Sequence, residues 1–184
     1  MPRALVLLAT GFEEVEAVTV INLLRRAGVV VDVAALGERI VKGAHDISLT
    51  ADSVLPRDLA SLAAFDLVVL PGGMPGTRHL AEDPRVAALL TAAHAAGKWI
   101  GAICAAPSVL GAAGLLAGRR ATCFPGFEEQ CHGAMLSTDP VVVDERIITS
   151  RGVGTAIPFA LALVRALQGA AAAESLAAKI LANS

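Results

Sequence analysis

Cys104 lies where an apolar segment, residues 99–103, gives way to small residues that lead into a helix. Ala105 and Ala106 follow it directly, and Pro107 suits the first turn of that helix. A nucleophile at a sharp strand-to-helix turn needs small neighbours, and the N–H groups of such a turn favour a thiolate. Cys104 is therefore a candidate nucleophile, although a single cysteine with apolar neighbours is equally typical of a small buried side chain.

A second candidate, Glu16, lies in the first predicted helix, residues 13–27. At 100° per residue from Glu13, an apolar arc from about 280° to 80° holds Ala17, Val20, Ile21, Leu23, Leu24 and Ala27. Glu13 at 0° and Glu16 at about 300° fall within that arc, so we expect both carboxyl groups to face inward. The helix dipole accounts for Glu13 and Glu14, but not for the direction of Glu16. An inward carboxyl has a raised pKa, which suits proton transfer or hydrogen-bond donation to sulfur.

The third candidate is the turn at Gly72 and Gly73, which directly follows the apolar segment 67–70. Two glycines at the end of a strand let backbone N–H groups approach a ligand closely, as in an oxyanion hole. The alternative is a tight turn with no ligand. A nucleotide loop is disfavoured, because neither GxGxxG nor a Walker lysine follows.

Other polar residues give weaker signals. Cys123, Cys131 and His132 match no metal-ligand spacing, so we expect structural roles for them and no bound metal. The remaining histidines are isolated in predicted loops or helices: His45, His79 and His94. No histidine neighbours Cys104 in the sequence, which excludes a local Cys-His dyad.

Alternating apolar runs and helical patterns predict the elements that hold these residues. The predicted parallel strands are residues 4–9, 29–34, 67–70 and 99–103. The predicted helices are residues 13–27, 84–96 and 155–167, with a terminal helix at 174–182. Residues 141–143 and 147–149 predict a small antiparallel hairpin. Parallel strands place their carboxyl ends together, so Cys104, Glu16 and Gly72–Gly73 should meet at one edge of the sheet.

Composition limits the classes of protein that are possible. A length of 184 residues suits one domain, 1–184. Because 55% of the residues are hydrophobic and only 17% are charged, we expect part of the apolar surface to contact another subunit. The apolar runs are too short to span a membrane, and no export signal is visible, so we expect a soluble protein. Three cysteines without a CxxC pair suggest free thiols in the cytoplasm. A net charge of −2 without a basic cluster argues against a stable nucleic-acid complex.

The motifs together resemble the ThiJ/PfpI superfamily nearly end to end, within it the subgroup of the Parkinson-disease-linked protein deglycase and bacterial YajL. They are RALVLLATGFEEVEAV, FDLVVLPGGMPG, GAICAAPSVL and TSRGVGTAIPFALALV. The resemblance implies a flavodoxin-like three-layer α/β/α sandwich that forms a homodimer and needs no cofactor. It also implies an easily oxidised Cys104 whose sulfur contacts a protonated Glu16.

The same resemblance assigns further residues to the site. Backbone amides matching Gly72, Gly73 and Ala105 are expected to hold an oxyanion or sulfinate. Glu13 is expected nearby, and Arg151 near the pocket.

Two departures from related branches narrow the expected chemistry. Phe124 stands where some subgroup members have histidine, as in the YajL-like members, so a third catalytic histidine is not expected. Ala105 stands where protease-like and amidotransferase-like branches have histidine, which argues against peptidase activity.

The leading hypothesis is a hydrolase of the protein and nucleotide deglycase type with glyoxalase (lyase) activity. Cys104 would add to methylglyoxal, glyoxal or their adducts, while Glu16 moves protons. The alternative is an oxidative-stress-sensing chaperone in which Cys104 becomes a sulfinate. A purely structural interaction module is the third possibility.

Overall fold

The computed structural model describes residues 1–58 and 64–182 of the chain. Its strands are β1 Arg3–Leu8, β2 Val30–Ala35, β3 Ile40–Lys42, β4 Ser48–Thr50, β5 Ser53–Val54, β6 Leu67–Leu70, β7 Trp99–Ile103, β8 Arg120–Ala121, β9 Met135–Leu136, β10 Val141–Asp144 and β11 Ile147–Ser150. Its α-helices are α1 Glu14–Arg26, α2 Gly76–Glu82, α3 Pro84–Ala95, α4 Pro107–Ala112, α5 Ala156–Gln168 and α6 Ala170–Lys179. Short 3₁₀ turns cover Glu128–Gln130 and Val153–Thr155.

Seven of these strands form the central sheet, in the order β10-β11-β7-β6-β1-β2-β5. All neighbouring pairs are parallel except β10 and β11, which form the antiparallel hairpin predicted from the sequence. The small pairs β3–β4 and β8–β9 lie outside this sheet. The prediction of a mainly parallel sheet is confirmed.

Helices cover both faces of the sheet. In β1 the side chains alternate: Ala4, Val6 and Leu8 join the core beneath α1, α5 and α6, whereas Leu5 and Leu7 join the core beneath α2, α3 and α4. This alternation is why the inner strands are continuous apolar runs, since both faces must be covered. The three-layer, flavodoxin-like architecture is confirmed.

The predicted element boundaries differ from the observed ones mainly at the C-terminus. The four inner strands and three longer helices begin and end within about a residue of prediction, as expected for strongly periodic segments. The last helix spans Ala170–Lys179 instead of 174–182. It begins earlier because Gly169, at φ 90°, ends α5 and four alanines with high helix propensity follow, and it ends earlier because Leu181, at φ 56°, leaves the helical conformation. The β3–β4 pair was not predicted, because these three-residue strands carry little apolar pattern.

The strand order creates a crevice at one edge of the sheet. From β1 the chain continues to β2 on one side, whereas β6 and β7 lie on the other side of β1. Open parallel sheets bind ligands at such a reversal, outside the carboxyl ends of the strands. The segments that follow β1, β6 and β7 carry Glu16, Gly72 and Cys104, so the fold brings all three toward this crevice.

No helix in the described residues is both long and apolar enough to cross a membrane.

Candidate active site

Cys104 directly follows β7 in a left-handed backbone conformation, with φ 64°. Its N–H donates to the Ser150 carbonyl oxygen at 2.9 Å, and its own carbonyl oxygen accepts from the Phe124 N–H at 2.8 Å. A non-glycine residue held at positive φ costs on the order of 1–3 kcal/mol and is typical of functional turns. The turn predicted from the sequence is therefore present as a sharp elbow, with the half-buried thiol at its apex.

Glu16, in the first turn of α1, has no solvent-exposed surface. Its Oε2 accepts a hydrogen bond from the Gly72 N–H at 2.8 Å. Its Oε1 is buried and makes no hydrogen bond of good geometry within the described residues. The carboxyl group also lies close enough to the Cys104 thiol for hydrogen bonding between the side chains to affect the pKa of both. Oε1 is thus the oxygen available to hold a proton.

Gly72 is where the backbone after β6 passes between these two side chains. A methyl group at this position would lie 2.6 Å from Cys104 Cβ and 2.8 Å from Glu16 Oε2. Only glycine permits that approach. The Gly72 N–H donates to Glu16 and does not face an oxyanion, contrary to the expectation from the sequence.

Two backbone N–H groups lie near the sulfur of Cys104. The N–H groups of Gly73 and Ala105 act on it to lower its pKa and so favour its anionic form. The outer side of the site is closed by Gly152 and Phe124: a methyl group on Gly152 would lie 3.2 Å from the Phe124 ring and 4.0 Å from Cys104 Sγ. An anion formed at or next to the sulfur would therefore meet the amides of Gly73 and Ala105.

Glu16 and Cys104 each affect the pKa of the other. Burial raises the pKa of Glu16 to about 7, against hydrogen bonds from the Gly72 N–H and the thiol, and the Glu13 charge adds to the rise. Burial and the neighbouring Glu16 carboxylate raise the pKa of Cys104 to about 12. Burial outweighs the two amides, so the turn alone does not favour a thiolate as expected. Protonation of Glu16 removes the negative charge that opposes ionisation of the Cys104 thiol.

Glu13 positions Glu16 and is itself buried. As the N-cap of α1, it accepts the Glu16 N–H at Oε2 over 2.8 Å, and its own N–H donates to the Gly72 carbonyl oxygen at 2.9 Å. Glu13 thus fastens α1 to the turn after β6, close to the position expected for it.

Glu14 and His45 were not recognised as site neighbours from the sequence. Glu14 is buried, and its Oε1 accepts the N–H groups of His45 at 2.7 Å and Ile47 at 3.3 Å. His45 Nδ1 lies 3.1 Å from Glu14 Oε2 and 3.8 Å from Glu13 Oε1. The prediction that His45 is isolated is therefore wrong. The β3–β4 hairpin places it there, and recognising that hairpin was the signal needed.

Glu13, Glu14 and His45 are the group in the described chain whose ligand atoms could hold a metal ion, all lying within 4.8 Å of one another. All three side chains already have partners within the protein.

Arg151 is half-buried, and its charge acts on Cys123, whose pKa it helps to lower. The structure brings together Cys104, Glu16, Glu13, Gly72, Gly73 and Ala105, and Arg151 directly precedes Gly152, which borders the Cys104 thiol.

Comparisons with known proteins give a consistent relationship. The family model described as the DJ-1/PfpI family matches residues 2–166. The chain is 41% identical over 171 residues to protein dj-1beta of Drosophila melanogaster, covering 90% of this chain and 89% of that protein. It is 38% identical over 166 residues to the glutathione-independent glyoxalase DJR-1.2 of Caenorhabditis elegans, covering 89% and 87%.

Solved structures agree over the whole chain. A DJ-1 superfamily protein from Salmonella typhimurium superposes with a TM-score of 0.94 at 40% identity, covering 100% of both chains. Toxoplasma gondii DJ-1 in an oxidized form gives a TM-score of 0.94 at 36% identity, again with 100% of both chains covered.

Proposed function

Since this chain belongs to the DJ-1/PfpI family, we propose that it is a cofactor-independent cysteine enzyme acting on methylglyoxal, glyoxal or their protein and nucleotide adducts. In this proposal Cys104 is the nucleophile and Glu16 the proton donor and acceptor. The similarity to a glyoxalase supports an activity on small reactive aldehydes.

The observation that carries the proposal is the fully buried Glu16 carboxyl against the Cys104 thiol. With the pKa of Glu16 raised to about 7, the carboxyl both accepts and donates a proton near neutral pH. The thiol proton can therefore pass to Glu16 as the sulfur bonds to the aldehyde carbon, without a thiolate waiting in an apolar site. A buried carboxyl with no such task would only destabilise the fold.

The same groups can serve the later steps. As the sulfur adds to the aldehyde, negative charge develops on the aldehyde oxygen, which the N–H groups of Gly73 and Ala105 would stabilise. Glu16 returns the thiol proton to this oxygen, which gives the neutral hemithioacetal and leaves Glu16 as a carboxylate. For methylglyoxal, Glu16 then transfers the aldehyde-derived proton to the adjacent carbon through an enediol, which converts the adduct to a thioester. Water hydrolyses the thioester to lactate and restores the thiol. For a glycated amine, breaking the bond from carbon to nitrogen releases the unmodified amine.

The test is lactate formation from methylglyoxal without glutathione. Cys104→Ala and Glu16→Gln should each lower kcat/KM by at least about 100-fold, since both groups act on the reacting atoms. Exposed Glu82→Gln is the matched control and should leave the rate unchanged. Unchanged rates in both site variants would refute the proposal. Recovery of the unmodified arginine side chain in a methylglyoxal-modified peptide, measured by mass spectrometry, tests the deglycase activity with the same proteins.

A second candidate function is a redox-sensing chaperone. It is favoured by the two amides and the carboxyl around the Cys104 sulfur, which would stabilise a sulfinate. Peroxide titration followed by peptide mass spectrometry separates the candidates. A gain of about 32 Da confined to Cys104 supports sensing, whereas no sulfinate at Cys104 argues against it.

A further inference from the structure

Cys123 and Cys131 form a second thiol pair outside the site just described. Both are free and almost fully buried, with exposed fractions of 4% and 2%. Both side chains belong to the same packed cluster of the core, and they lie close enough for hydrogen bonding between the thiols to shift the pKa of each. Two thiols in contact offer chemistry that neither offers alone, because oxidation of one leaves the other in position to react.

The surrounding elements hold the two sulfurs at the base of a loop. Cys123 comes two residues after β8, and Cys131 follows the 3₁₀ turn Glu128–Gln130. Gly111 of α4 packs against the backbone at Cys131, since a methyl group on Gly111 would lie 2.8 Å from Cys131 Cα. Residues 124–130 between the thiols are mostly exposed. The pair is therefore buried and fixed, while the loop that it joins faces solvent.

The two thiols are electrostatically unequal. Hydrogen bonding from the Cys131 thiol lowers the pKa of Cys123, and the Arg151 charge acts in the same direction against burial and the Glu128 charge. The same hydrogen bond, with burial, raises the pKa of Cys131. Cys123 is thus the thiol of the pair that loses its proton more readily, and the thiolate is the form that reacts with an oxidant.

We propose that Cys123 and Cys131 form a reversible intramolecular disulfide when the protein meets hydrogen peroxide, at a modification site separate from Cys104. The Cys123 thiolate attacks one peroxide oxygen, giving a sulfenic acid and hydroxide, and the hydroxide takes the Cys131 proton to form water. The Cys131 thiolate then attacks the Cys123 sulfur and expels a second hydroxide, which is protonated to water by the proton that Cys123 first lost. One peroxide is reduced to two waters as two thiols become one disulfide.

This disulfide would close the loop that forms one wall of the candidate active site. Phe124 directly follows Cys123, donates its N–H to the Cys104 carbonyl oxygen, and packs its ring beside Gly152. Linking residues 123 and 131 restricts the loop at the point where it leaves the core. Oxidation of the pair would therefore stiffen the backbone beside Cys104 without consuming the Cys104 thiol.

The experiment uses the Cys104→Ser protein, so its outcome does not depend on the function proposed for Cys104. After hydrogen peroxide and alkylation of the remaining thiols, a mass about 2 Da lower without alkylation is expected. Trypsin leaves both cysteines in one peptide, 121–146, because no Lys or Arg lies between Ala121 and Glu145. Cleavage after Glu128 or Glu129 separates them, so the fragments stay joined only through a disulfide, and dithiothreitol should release them.

The matched control is Cys131→Ala in the same background. Without its partner, Cys123 should instead gain about 16 or 32 Da as sulfenic or sulfinic acid. Alkylation of both thiols after peroxide, or oxygen gain at either cysteine without linked fragments in the Cys104→Ser protein, would overturn the proposal.

Discussion

Glu16 shows at the scale of one residue how a site can oppose the stability of its own fold. Its carboxyl has no exposed surface, and a single backbone N–H, from Gly72, binds its Oε2. Burial makes its charged form costly, which is the same effect that gives it a pKa near neutral. The property that suits Glu16 to proton transfer is therefore one that weakens the native state as pH rises.

Glu16→Gln should remove this pH-dependent cost. A carboxyl whose folded pKa is raised from 4.5 to about 7 binds more protons in the native state between those values. The free energy of unfolding therefore falls as pH rises from 5 to 8, by up to about 3 kcal/mol from this group. Urea unfolding at both pH values should show that fall in the wild type and its loss in Glu16→Gln, which becomes the more stable protein at pH 8.

Glu14→Gln is the matched control. Burial raises the pKa of Glu14, but hydrogen bonds from His45 and Ile47 outweigh it and hold that pKa below its usual value. The stability that Glu14 contributes is lost only as pH falls below about 4.5. This variant should be destabilised equally at pH 5 and pH 8, with the wild-type slope between them. A wild-type slope in Glu16→Gln as well would show that Glu16 is ionised throughout.

At the scale of elements, the turn after β6 connects α1 to the elbow after β7. Gly72 donates its N–H to Glu16 and offers its carbonyl oxygen to the Glu13 N–H, while its Cα faces Cys104. The separation between thiol and carboxyl thus depends on three segments that are distant in sequence, meeting at one glycine.

Gly72→Ala should separate the pair. A methyl group here would lie 2.6 Å from Cys104 Cβ, so the turn or the elbow must move. We expect about a 100-fold loss of kcat/KM for methylglyoxal and a stability loss of about 1–3 kcal/mol. Exposed Gly37→Ala is the control, because nothing lies within 4 Å of its added methyl group. Wild-type activity in Gly72→Ala would mean that the close approach is not needed.

At the scale of the molecule, large apolar side chains remain exposed on α1 and α5. Val15 and Val18 on α1 expose 50% and 43% of their surface, and Ile157 on α5 exposes 45%. Val18 and Ile157 line the same groove. Exposed apolar surface of this kind is typical of a subunit interface. We propose that the chain forms one domain, 1–184, and a cytoplasmic homodimer through this surface.

Val18→Glu should disrupt that dimer. A charge buried against the partner without a counterion opposes association, so the dimer Kd should rise by at least about 30-fold. Light scattering during gel filtration measures the change. Val143→Glu on the edge strand β10 is the matched control, with 51% of the side chain exposed, and should remain dimeric. A wild-type monomer, or a dimer in both variants, would contradict this interface.

The sequence by itself determined the features that depend on local pattern. Continuous apolar runs specify the inner strands, and small residues after β7 specify the elbow at Cys104. Helical periodicity places Glu16 on the buried face of α1. Together they predicted the layered fold and the meeting of three segments at one sheet edge, as described above.

Only the tertiary structure decided which partners these groups have. The Gly72 N–H binds Glu16 across 56 residues, and His45 binds Glu14 across 31. Cys123 and Cys131 meet because β8 and a 3₁₀ turn return to the same layer of the core. Such contacts join segments with no shared local pattern, so the packing of the whole chain sets them. That packing also sets the degree of burial, and hence the pKa of Glu16 and the protonation state of Cys104.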